Sequence, residues 1–171
     1  MPPKPYSSSQ EFRGRTVQDL LQLHGRIIDE LRARDVVRTG NAPLGDYAEW
    51  LFSKAYSWQL ERNSSAGHDA VDTARSRYQI KARRLARAGR GTRQLSVLRN
   101  LDDGKFDMLA AVLFAADYSV FRAALIPIAI VRERSTKVPH VNGWRFLLDD
   151  AVWSLAGVVD STAVLQQAEG R

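Results

Sequence analysis

Residues 67 to 81 read Gly-His-Asp-Ala-Val-Asp-Thr-Ala-Arg-Ser-Arg-Tyr-Gln-Ile-Lys, which sets an acid, Asp69, on one short segment and Gln79-Ile80-Lys81 on the next. Residues of these types suit phosphodiester hydrolysis. That reaction needs a divalent cation to neutralise developing charge and to lower the pKa of a water, held by oxygens of carboxylates, amide carbonyls and backbone. It also needs a cation near the attacking water or the phosphate. Alternate residues of a strand share a face, so Gln79 and Lys81 point the same way with the Ile80 carbonyl between them, and Asp69 approaches that face from across a hairpin turn. Asp72 is the competing acid. Three residues beyond Asp69, it faces the other side of an ideal strand, and a bulge would be needed to bring it in.

The charge around this segment is uneven. From Thr73 to Leu101 there is no acidic residue, while Arg75, Arg77, Lys81, Arg83, Arg84, Arg87, Arg90, Arg93 and Arg99 are all basic. The chain as a whole carries a formal net charge of +6, so the part outside this stretch is slightly acidic. A focal basic stripe in an otherwise balanced protein is the footprint expected for a polyanion, because phosphate contacts release counterions and steer association. The plainer reading of such a run is a solvated, arginine-rich face; the acid set beside it turns the reading toward phosphate. Arg77, Arg83, Arg84, Arg87, Arg90 and Arg93 are the candidates for phosphate contacts, and double-stranded DNA is the expected partner.

The elements that would position these groups follow from periodicity and punctuation. The first twelve residues, with three prolines and a serine triplet in the first ten, are expected to form a flexible arm. Residues 13 to 171 are expected to form a single domain. Val17, Leu20, Leu21, Leu23, Ile27, Ile28 and Leu31 recur at three- and four-residue spacing behind Thr16, which predicts a capped amphipathic helix to about Arg34. The breakers Thr39-Gly40-Asn41-Ala42-Pro43 precede a second helix over Leu44 to Ala55. Ala70-Val71-Asp72-Thr73 and Arg77 to Arg83 read as a hairpin, Phe106 to Phe114 as a buried strand, and Tyr118 to Leu125 as its antiparallel neighbour. Ile126-Pro127 is read as opening a short helix to about Arg134, Trp144 to Leu147 as a last short strand, and Asp160-Ser161-Thr162 as the cap of a final helix. The order implies an α/β or α+β fold with a central mixed sheet flanked by helices.

Composition narrows the class further. The 171 residues include no cysteine, which excludes disulfides, thiolate catalysis and Cys-ligated zinc, and which fits a reducing compartment. With no apolar leader at the start and no run near the ~20 apolar residues of a membrane helix, the expectation is a cytoplasmic protein without a membrane span. His68, although it sits beside Asp69 as a base might, reads as a surface or capping residue and His140 as a loop residue, and Trp50, Trp58, Trp144 and Trp153 read as core rather than base-stacking platforms.

Four segments in order carry a family resemblance: Leu44-Gly45-Asp46-Tyr47-Ala48-Glu49 on a helix, Gly67-His68-Asp69, Gln79-Ile80-Lys81, and the core strand Phe106-Asp107-Met108-Leu109. Together they resemble the PD-(D/E)xK nuclease superfamily, with its restriction-endonuclease-like fold, and in particular the variants with Gln-x-Lys in place of Glu-x-Lys, as in Mrr-like restriction enzymes. The resemblance implies that Asp69 ligates Mg²⁺ (Mn²⁺ substituting), that Gln79 and the Ile80 carbonyl complete the protein ligands, that Lys81 positions or polarises the water, and that Glu49 binds or orients from the helix. No proline precedes Asp69, and the neutral Gln79 removes one negative charge, so a weaker or single metal ion is implied. The expected activity is Mg²⁺-dependent endonucleolytic cleavage of DNA by a homodimer. The alternatives are a catalytically silent DNA-binding module of the same fold and a nuclease acting on RNA.

Overall fold

The computed structural model describes residues 10–62, 67–85, 92–99 and 101–170. The chain divides into two compact units, residues 1–43 and 44–171, with the boundary at the end of the breaker cluster. In the first unit, α1 (Val17–Ala33) starts at a full capping box. The Asp19 N–H donates to the Thr16 hydroxyl and the Thr16 N–H to the Asp19 carboxylate, which satisfies two of the donors a helix start leaves open. Ile28 is buried, whereas Val17 is 76% and Leu21 66% exposed.

The second unit is a mixed α/β fold. Its elements are α2 (Leu44–Tyr56), β1 (Gln59–Leu60), β2 (Ala70–Val71), β3 (Arg77–Arg84), β4 (Met108–Phe114), β5 (Val120–Pro127), α3 (Ile128–Arg134), β6 (Thr136–Val138), β7 (Gly143–Arg145), β8 (Val159–Asp160) and α4 (Thr162–Glu169). Six strands form one sheet in the order β1-β2-β3-β4-β5-β8, and β6-β7 form a separate ribbon. Every neighbouring pair is antiparallel except β3 and β4, which run parallel. A parallel pair needs a long crossover, and here residues 85 to 107, which hold the second half of the basic run, make it.

Strand alternation sorts the core into two layers. Tyr78 and Ile80 of β3 join Ala110, Val112 and Phe114 of β4 beneath α2 (Ala48, Leu51, Phe52) and α4 (Leu165, Ala168). Leu109, Ala111 and Leu113 face the other way and are covered by Leu95, Leu98, Leu101, Phe106, Val131, Phe146 and Val152. Strand β4 is therefore buried on both faces from Leu109 onward, the near-continuous apolar run of a central strand. Trp58 is buried and stacks on Tyr78 with ring centroids 3.8 Å apart, which fixes β3 against the segment leaving α2.

Several sequence expectations shift by a few residues. Ile126 and Pro127 end β5 rather than open a helix, and Pro127 caps α3 from outside. The strand expected over Trp144 to Leu147 is β7, Gly143–Arg145, paired with β6 and not with the central sheet. The two-residue strands β1 and β8 extend the sheet at its edges; runs so short carry no periodic signal. Asp160 accepts from the Thr162 N–H at the start of α4, as its place before the helix predicts. Among the described residues no helix is long and apolar enough to cross a membrane.

Candidate functional site

The β2–β3 hairpin is held by its turn. Asp72 accepts from the Ser76 N–H at 2.8 Å and from the Tyr78 hydroxyl at 2.9 Å, and Arg75 takes a left-handed φ of 69°. Burial raises the Asp72 pKa, but these hydrogen bonds outweigh it and hold the carboxyl below its usual value. Asp72 is thus committed to the turn.

Asp69 lies one residue before β2. Its N–H donates to the Tyr78 carbonyl at 2.8 Å, while its carboxylate oxygen Oδ2 accepts from the Ile80 N–H at 2.6 Å and from the Gln79 side-chain amide. The Asp69 side chain thereby takes over from the backbone as the ladder partner of β3. Within a strand a residue's N–H and C=O point to the same edge, so the Ile80 carbonyl lies on the same edge as Asp69. Gln79 and Lys81 stand on the alternate face from Ile80, in register with Leu109 and Ala111 of β4. An aspartate, an amide side chain, a backbone carbonyl and an ammonium are thus gathered around two turns of the pleat.

Lys81 is half-buried. Burial lowers its pKa, the Asp69 carboxylate pulls it back up and Arg99 lowers it again, leaving it below the usual lysine value. The interaction with Arg99 brings a crossover residue into the neighbourhood. Arg99 is exposed, and neither it nor Arg83 has an ion-pair partner among the described residues. Arg99 belongs to the basic run but gave no sign in sequence of which part of it returns to Lys81. The Leu98–Trp144 backbone pairing, which fixes this return, is a long-range contact.

The other predicted cations are placed differently. Arg77 grips the Asp107 carboxylate with Nη2 at 2.7 Å and Nε at 3.0 Å, and donates to the Gly104 carbonyl. Arg84 donates to the Ala116 carbonyl at 2.8 Å and lies over the Tyr118 ring. Arg93 pairs with Asp150 at 2.7 Å. Arg87 and Arg90 lie outside the described residues. Glu49 follows Ala48 on α2, which packs on the Tyr78 and Ile80 face of β3, whereas Gln79 and Lys81 occupy the opposite face.

His68, adjacent to Asp69 and read from sequence as a surface residue, is only 14% exposed; its Nε2 is 3.8 Å from Glu61 and its buried Nδ1 has no hydrogen-bond partner. Among the described residues no three His, Asp or Glu side chains converge to hold a metal ion. At Asp69 Oδ2 the Gln79 amide nitrogen and the Ile80 N–H meet as donors, and the carboxylate and the backbone carbonyl on the same edge of β3 are hard oxygens of the kind Mg²⁺ accepts while keeping several waters. No family model matches the chain, and no curated protein sequence matches it.

Proposed function

We propose that this protein is a metal-dependent nuclease that hydrolyses DNA, with a site of the PD-(D/E)xK type in its Gln-x-Lys form. The observation that carries the reading is the meeting of Asp69, Gln79, the Ile80 carbonyl edge and a half-buried Lys81 at the end of a short hairpin. The succession of α2, hairpin, crossover and buried β4 supports the restriction-endonuclease-like arrangement. Asp69, the Gln79 amide oxygen and the Ile80 carbonyl would hold Mg²⁺ or Mn²⁺. When bound, the ion supplies charge neutralisation and a more acidic water. Lys81, kept partly out of solvent, orients that water and faces the phosphate. Arg83 and Arg99 hold the backbone on either side. Cutting both strands calls for two sites, so a homodimer is the simplest assembly.

A second reading rests on a specific hydrogen bond. Asp69 Oδ2 already accepts two donors, as a carboxylate would in a hairpin that has kept its DNA grip and lost its chemistry. Cleavage of supercoiled plasmid with Mg²⁺ or Mn²⁺ separates the two, with Asp69→Ala and Lys81→Ala proteins as controls. The nuclease reading expects cleavage to fall about 10²-fold or more in both variants while DNA binding persists. Salt-sensitive binding without metal-dependent cutting in the unaltered protein would establish the binding module.

A further inference from the structure

A cavity of about 190 Å³ opens beside the crossover, lined by Leu101, Asp102, Asp103, Lys137, Asn142, Gly143 and Trp144. Its floor is fixed by backbone: the Leu98 N–H donates to the Trp144 carbonyl at 2.9 Å and the Trp144 N–H to the Leu98 carbonyl at 2.8 Å. Gly143 is buried, and any side chain there would run into Val97 and the Leu98 carbonyl. The segment at Val97 and Leu98 can lie this close to β7 only because residue 143 has no Cβ.

The chemistry of the walls is mixed. Asp102 and Asp103 are exposed carboxylates that only accept hydrogen bonds, Lys137 only donates, and the Asn142 amide does both. Trp144 is half-buried, packing on the core behind it, and Lys137 Nζ stands 5.5 Å from its ring centre. A volume well under the roughly 300 Å³ of a drug-sized cleft suits one flat ring system. A heterocycle with donors and acceptors on one edge matches these walls better than a bare ion. A carboxylate accepts from an exocyclic amino group such as cytosine N4, whereas thymine would set carbonyl oxygens against it.

We propose that this cavity is a nucleobase pocket that takes a base bearing an exocyclic amino group, with Asp102 or Asp103 accepting from that group and Lys137 and Asn142 serving the ring's acceptors. The proposal rests on the nucleic-acid reading above. Leu101, Asp102 and Asp103, which form one wall of the pocket, follow shortly after Arg99 in the chain.

The test uses the full chain and phosphate-free nucleosides, so that neither the basic stripe nor a metal contributes. Deoxycytidine, deoxyguanosine and thymidine are titrated while the Trp144 indole N–H resonance, assigned with Trp144→Phe, is followed. Saturable shifts with the two amino-bearing nucleosides are expected. Thymidine should bind more weakly, and the paired change Asp102→Asn with Asp103→Asn should weaken deoxycytidine about tenfold. Lys137→Ala gives an independent variant. No saturable shift with any nucleoside, or binding untouched by both variants, would overturn the pocket. Because no phosphodiester is present, a failure here leaves the Asp69 site standing, and an absence of cleavage there leaves this pocket standing.

Discussion

Lys81 carries a charge in a place that disfavours it, which gives a prediction with a definite sign. Burial depresses its pKa, with Arg99 adding to the effect against Asp69. A folded-state lysine pKa below the unfolded one means the unfolded chain binds more protons between the two values. Stability should therefore rise as pH climbs through the folded pKa toward the ordinary lysine value of about 10.4, and the cost is fully present below that window. Lys81→Met should raise the thermal midpoint at neutral pH and flatten this alkaline gain, while cleavage falls about 10²-fold or more. A lower midpoint in the variant would show that the ammonium is stabilised where it stands. The two aspartates of the hairpin divide by role in a similar way. Asp72→Ala removes acceptors from Ser76 and Tyr78 and should cost about 1 kcal/mol of stability with little change in metal dependence, whereas Asp69→Asn should abolish the metal response. Equal loss of metal response in both would return Asp72 to the site. Residue identity made Asp69, Gln79 and Lys81 visible in the sequence. Strand alternation and the family resemblance favoured Asp69 over Asp72, but the role of Asp72 in the turn was not legible, because it is set by the Ser76 and Tyr78 contacts.

Hairpin, central strand and capped helices were legible because each is written locally: Thr16 with Asp19, the alternation of Arg77 to Arg83, and the unbroken apolar run ending at Phe114. The parallel pairing of β3 with β4 was not, because it depends on a crossover whose residues have no period of their own. Its anchor is the Arg77–Asp107 clamp. Asp107 accepts from the Arg77 backbone N–H at 2.9 Å as well as from the guanidinium, and its own N–H donates to the Arg77 carbonyl at 2.8 Å. Arg77 therefore joins the starts of the two strands two residues before Gln79, although its charge alone placed it among the phosphate contacts. The same difference can be measured. Arg77→Ala should lower stability by about 1–2 kcal/mol, the range for losing a part-buried, charge-assisted hydrogen-bond set, and leave the salt slope of DNA binding nearly unchanged. Arg83→Ala with Arg99→Ala should leave the thermal midpoint within a degree or so while reducing that slope by about one for each phosphate contact removed. The reverse assignment of effects, from thermal melts and from binding at several salt concentrations, would make Arg77 the contact and the other two structural.

Both apolar core clusters and every candidate residue of the proposed site lie between Leu44 and Arg171. The first unit keeps Val17, Leu20, Leu21 and Ile27 exposed along α1, more apolar surface than a solitary helix keeps without reason. If the proposed homodimer forms through α1, removing that helix should separate assembly from folding. A protein of residues 44–171 should unfold cooperatively, bind DNA with the same salt slope per chain, and nick plasmid one strand at a time. The full chain should sediment as a dimer and linearise plasmid by paired cuts. A full chain that sediments as a monomer would discard this assembly. A truncated protein that still dimerises would move the interface into the second unit, where the exposed Val159 on the edge strand β8 is the first place to substitute a charge. Loss of cooperative unfolding on truncation would show that the helix serves the fold, and the double-strand cut would then need a different explanation from two hairpins brought together by α1.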